Sequence, residues 1–158
     1  MMVEEILGNS SQAEYQDCLI DFVDIEWYEC QKTIMRRMSR GGRDIALHLP
    51  AAMQQKGLDE GDVLWRGDNL LVAVHILPAE AIVLHPSVNQ LVSMSYEIGN
   101  RHAPFFYAND ALRDFAVPYD KPLINVFQRL GISYEVGSLA LLTRRRISGS
   151  VTAGHHHG

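Results

Sequence analysis

Along the first half of the chain, apolar and polar residues alternate loosely with a period of two, the signature of strands with one buried face. Residues 18–24 and 32–38 read this way, and the second run ends at a Gly41-Gly42 turn suited to a hairpin. In 44–50, Ile45, Leu47 and Leu49 share one face and Asp44, Ala46 and His48 the other, so His48 points away from the apolar side. A loop at 54–57, a Glu60-Gly61-Asp62 turn leading into a strand that ends at Trp65, and a turn at 67–69 before 70–77 continue the pattern. Short strands separated by turn clusters predict a small all-β domain over residues 1–76.

The period then changes. A continuous apolar strand at 81–84 is followed by Ser87, a helix N-cap residue, and by Val88, Leu91, Val92, Ser95 and Ile98 at helical spacing, which predicts an amphipathic helix over about 88–100. Runs at 104–107 and 112–117, joined by a turn at 108–110, predict a hairpin. Asp120 can cap a second helix, with Pro122 in its first turn, Leu123, Val126, Phe127 and Leu130 on its apolar face and Gly131 as its stop; a last strand follows at 132–136. The order over 80–137 is β-α-β-β-α-β, which predicts a ferredoxin-like domain with both helices on one face of an antiparallel sheet, assigned to residues 77–143. The fold class expected is therefore α+β. Residues 144–158, polar and Gly/Ser-rich and ending in His155, His156 and His157, are expected to form a flexible tail.

Composition narrows the function. A formal charge of −5 spread over 158 residues argues against nucleic-acid binding, and Arg144-Arg145-Arg146 is too short a basic run to reverse it. No run approaches the roughly 18–20 apolar residues of a membrane span, and the first residues lack the pattern of a secretory leader, so a cytoplasmic location is expected. Cys18 and Cys30 form no CxxC pair, and no Walker loop, GxGxxG, HExxH or GxSxG is present, so an enzyme is not expected.

The stretch that stands out is Gly99-Asn100-Arg101-His102 at the end of the first C-terminal helix, followed by Pro104. Gly99 and Asn100 are helix-ending types and Pro104 forbids continuation, so a helix stop with a dipole-favoured histidine accounts for the spacing alone. His75 and His85 lie in or at the end of strands, where hydrogen-bonded structural roles are expected. Neutral imidazole binds nickel, copper and zinc, but one surface histidine holds a metal weakly. Two-fold pairing of chains doubles the ligand count, and tail histidines can complete the shell.

With its small β domain in front and histidine-bearing tail behind, this stretch resembles urease accessory protein E, the nickel metallochaperone of urease maturation. Residues 42–50, similar to the family's strand ending in Leu-x-Leu-Pro, and 58–64, similar to its Leu-x-x-Gly-Asp-x-Leu, extend the resemblance over nearly the whole chain. It implies a symmetric homodimer joined through the C-terminal domains, able to pair into a dimer of dimers. His102 would face its copy to bind one Ni2+, with Zn2+ or Cu2+ as in vitro substitutes, and His155, His156 and His157 would bind or relay further metal. It also implies an N-terminal module of peptide-binding type, with the urease apoprotein complex and the urease accessory GTPase as partners. Two other classes compete: a zinc hydrolase using His102 with Glu97 or Asp110, and a peptide-binding scaffold in which the histidines are incidental.

Overall fold

The structure, a computed structural model, describes residues 1–147. It is a mixed α+β protein that divides into two compact units, the first spanning Met1–Leu77 and the second beginning at Pro78.

The N-terminal unit contains β1 (Met2–Val3), β2 (Leu19–Ile25), β3 (Ile34–Met38), β4 (Asp44–His48), a single helical turn α1 (Met53–Lys56), β5 (Val63–Arg66) and β6 (Leu70–Ile76). They form two three-stranded sheets, β1-β4-β3 and β2-β6-β5. β3 and β4 pair antiparallel across the Gly41-Gly42 turn, whereas β1–β4 and β2–β6 are parallel pairs. The expected loop at 54–57 is largely the α1 turn, closed by Gly57 at φ 76°.

One buried carboxylate ties the β3–β4 turn to β2. Asp21 accepts hydrogen bonds from Ser39 Oγ (2.6 Å), the Gly41 N–H (2.7 Å) and Arg43 Nη1 (2.8 Å). Burial alone pushes its carboxyl up, but these three donors more than offset that and hold it below the usual carboxylate range. Gly41 is glycine because a Cβ there would meet Asp21 Oδ2 at 2.8 Å.

The C-terminal unit contains β7 (Ala79–His85), α2 (Leu91–Asn100), β8 (Phe106–Tyr107), β9 (Phe115–Pro118), α3 (Lys121–Leu130) and β10 (Ser133–Leu139). The sheet is antiparallel in the order β10-β7-β9-β8. Met94 and Ile98 of α2 and Leu123, Val126 and Phe127 of α3 join Ile82, Leu84 and Val117 of the sheet in one core.

Three sequence expectations need correction. Residues 88–90 form a separate 3-10 turn, so α2 begins at Leu91, and its buried face is Met94 and Ile98 rather than the Val88–Val92 side. The expected hairpin strands shrink to 106–107 and 115–118, because 108–114 forms a closed loop. There Ala108 N–H donates to Asp114 O (2.9 Å), Asn109 Oδ1 accepts from Ala111 N–H (3.1 Å), and Leu112 sits exposed at φ 58°. Finally, the chain beyond 143 stays attached as far as Ile147. Arg146 bridges Phe106 and stacks over its ring, and Ile147 N–H donates to Phe105 O (2.7 Å). The remainder of the expected tail, with His155, His156 and His157, lies outside the described residues.

Candidate functional site

Helix α2 runs out of intrahelical partners at Ile98 and Gly99, and the chain satisfies those carbonyls by folding back. His102 N–H donates to Gly99 O (3.0 Å) and Ala103 N–H to Ile98 O (3.2 Å), the paired bonds of a Schellman stop. This geometry requires a left-handed residue after the C-cap, and that residue is His102, at φ 55°. Glycine is the usual occupant, since a Cβ in this region costs about 1–2 kcal/mol. An exposed imidazole is thus held in a strained backbone position, a situation that concentrates at functional sites.

The neighbouring arginine is committed to the helix. Arg101 Nη1 lies 3.6 Å from Glu97 Oε1, and Arg129 Nη2 approaches the same oxygen at 3.3 Å. Asp110 is paired with Arg145 at 3.0 Å. Both carboxylates weighed as hydrolase partners for His102 are therefore engaged by guanidinium groups.

The surface leading to His102 is apolar. Val88, in the 3-10 turn before α2, and Val92 and Tyr96 of α2 are 86%, 81% and 67% exposed, and the four-residue spacing of Val92 and Tyr96 puts both on one side of the helix. Gly99 follows on the same side, and a Cβ built there would meet nothing within 4 Å. Its φ is not positive, so neither backbone conformation nor packing among the described residues calls for glycine. The sequence contained the signal for this second stripe, because α2 carries apolar residues on two sides and only Met94 and Ile98, with Leu91 partly buried, face the core.

The other described histidines behave as hydrogen-bonded surface groups or stand alone. His75 Nδ1 contacts Glu60 at 3.0 Å beside the Phe22 ring, and His48 is exposed on β4. His85 Nδ1 contacts Asp114 at 2.9 Å and its Nε2 contacts Glu135 at 3.4 Å. The Asp114 bond, opposed by slight burial and reinforced by Glu135, raises the His85 imidazole above its ordinary value. Among the described residues no group of three or more His, Cys, Asp and Glu side chains is placed to hold a metal ion. The structure brings none of the other described histidines together with His102. A metal at His102 therefore needs ligands from a second chain or from the residues beyond 147.

Comparison with known proteins gives a consistent result over both units. Residues 3–77 match the family described as UreE urease accessory protein, N-terminal domain. The chain is 36% identical over 152 residues to the urease accessory protein UreE of Helicobacter pylori (strain G27), covering 96% of this chain and 88% of that protein. It is 38% identical over 144 residues to the protein of the same name from Acetivibrio thermocellus, covering 90% of each.

Proposed function

The chain belongs to the UreE urease accessory protein family, whose role lies in urease maturation, and from that premise we propose that it is a metallochaperone carrying Ni2+ to apo-urease. Nickel is its cargo, and the site is built on His102 in a symmetric dimer. The observation that carries this reading is an exposed imidazole, held at a position glycine would occupy without strain, at the end of an exposed apolar helix stripe.

The stripe supports an isologous contact. Val88, Val92 and Tyr96 are costly to leave in water, and the open space at Gly99 admits a second α2 close to the axis. Each copy then contributes one His102, giving one metal two imidazoles. The tail completes the shell within chain reach: Ile147 is bonded to Phe105, three positions after His102, and His155 follows eight residues later. An extended chain of that length spans at most about 28 Å. Two such dimers sharing one ion would bring four copies of His102 together. Exposed imidazoles suit a carrier, because they exchange one at a time with the ligands of the acceptor. The N-terminal unit, of peptide-binding type, contacts the protein partners, namely the urease apoprotein complex and the urease accessory GTPase, in the cytoplasm. No helix among the described residues is long and apolar enough to cross a membrane.

Calorimetric titration with nickel, alongside the solution mass, tests the reading. One tight site per dimer is expected, at least a hundredfold weaker in His102→Ala with the dimer mass retained. Tight binding of one ion per monomer, or unchanged affinity in His102→Ala, refutes it. Zinc and copper titrations of the same proteins rank the metals. Removal of residues 148–158 is expected to weaken nickel binding less than His102→Ala does.

A further inference from the structure

The N-terminal unit has an opening that its own chain leaves unfilled. β1 pairs with β4 on one edge only, at Met2↔Ala46 and Val3↔Leu47. A few residues later the chain has crossed to the other sheet: Leu7 N–H donates to Val63 O and Val63 N–H to Gly8 O, both at 2.9 Å. Between these two attachments the segment after β1 diverges from the part of the β5 edge beyond Val63, which is left unpaired among the described residues. The wedge is a cavity of about 500 Å³ bordered by Met2, Glu4, Glu5, Leu7, Leu64 and Trp65.

Three features of its wall point outward. First, β5 carries a β-bulge: Val63 pairs with Ala73 and Trp65 with Val72, leaving Leu64 as the extra residue. Val63 and Leu64 are consequently both buried, and Trp65 emerges on the cavity side instead of following the alternation. Second, the indole lies across Gly67, where a Cβ would stand 2.6 Å from Trp65 Cη2. Gly67 has no positive φ, so its glycine serves to seat that ring. Third, Glu4 and Glu5 are both exposed at the rim, and among the described residues neither has an ion-pair or hydrogen-bond partner.

We propose that this wedge binds an extended, basic segment of a partner protein. The segment adds as a strand along the open edges, sets an apolar side chain against Leu7, Leu64 and the Trp65 ring, and places a Lys or Arg between Glu4 and Glu5. Open edges supply main-chain hydrogen bonds, unpaired carboxylates select a cation over an anion, and the indole face gives the apolar side chain a surface to cover. The inference rests on the reading that the N-terminal unit contacts protein partners, and it is independent of nickel.

The test uses the full chain and two fluorescein-labelled peptides, Gly-Leu-Arg-Val-Arg-Leu-Gly and a twin with Glu replacing each Arg. Anisotropy is expected to show binding of the Arg peptide and none of its twin. A Glu4→Gln/Glu5→Gln double variant should weaken that binding at least tenfold, and Gly67→Ala, which displaces the indole, should also weaken it. Backbone NMR shifts on titration should centre on residues 2–7 and 64–67. Equal binding of both peptides, shifts centred elsewhere, or no binding at millimolar concentration overturns the proposal. A change in solution mass of the double variant also overturns it, since the wedge would then be a contact between copies of the chain. If the Arg peptide binds as described while the double variant still associates normally with the urease apoprotein, the wedge stands and the assignment of that partner to this unit falls.

Discussion

Helices α2 and α3 end in the same way and with different residues. After α3, Gly131 N–H donates to Gln128 O (3.1 Å) and Ile132 N–H to Phe127 O (3.0 Å), with Gly131 left-handed at φ 72°. The same two bonds close α2, but there the left-handed residue is His102. Ile132 and Ala103, which follow, both pack into the shared core, so the two stops serve one structural purpose. α3 solves the problem at the least conformational cost. α2 carries a strained imidazole and, one turn earlier, a helical glycine that nothing among the described residues requires. Both departures weaken the isolated chain, and both are what the proposed metal site and dimer contact would call for at that end.

Exchanging the residues of the two stops should have the largest effect. Gly131→Ala is expected to lower stability by about 1–2 kcal/mol, because the added Cβ is strained whatever the space around it. His102→Gly should raise stability by about 1 kcal/mol while removing tight nickel binding. Urea melts followed by nickel titration read both effects, and a destabilised His102→Gly would show that the imidazole serves the fold rather than a metal.

Gly99→Ala sharpens the comparison with a smaller effect of divided sign. In a dilute monomer it should stabilise α2 by about 0.5–1 kcal/mol, since the new methyl meets open space. If a second α2 crosses there, the same methyl weakens the dimer, visible as a higher dissociation constant in sedimentation equilibrium. A tighter or unchanged dimer places the contact elsewhere.

The smallest effect is expected at the loop between β8 and β9, held by His85. Its imidazole is raised by Asp114, against slight burial and with help from Glu135, so the folded state binds the proton more tightly than the unfolded chain. The stabilisation is complete below the ordinary imidazole value of 6.5 and is lost as pH rises through the higher folded value. Asp114, itself lowered chiefly by His85, is the partner released. Hydrogen exchange of the 108–114 amides, corrected for intrinsic rate, should quicken over that rise, and His85→Gln should flatten the dependence. An equally steep profile in the variant would assign the dependence to a titrating group other than His85.

Much of this was legible in the chain itself. Alternation in 44–50 placed Ile45 and Leu47 inside and His48 outside, and Asp120, Pro122 and Gly131 bounded α3. The Gly99–His102 stretch marked a helix stop because its residue types and Pro104 act within a few bonds of themselves. What sequence reading missed has a common origin. Val88 and Val92 are apolar like Met94 and Ile98, and only the position of the sheet decides which side of α2 is covered. Leu64 became a bulge where β5 slips register against β6, and Trp65 was turned outward as a result. Asp21 occupies a polar position on β2 that reads as solvent-facing until a turn from the other sheet delivers three donors to it.

The sequence by itself thus determined most of the elements and the helix stop at the end of α2, because these depend on local sterics and on hydrogen bonds between near neighbours. Tertiary structure alone decided which apolar stripe stays in water, which carboxylates are neutralised by arginine and where the unfilled wedge lies. Those outcomes depend on which distant segments arrive, and a period of two or of 3.6 carries no information about that.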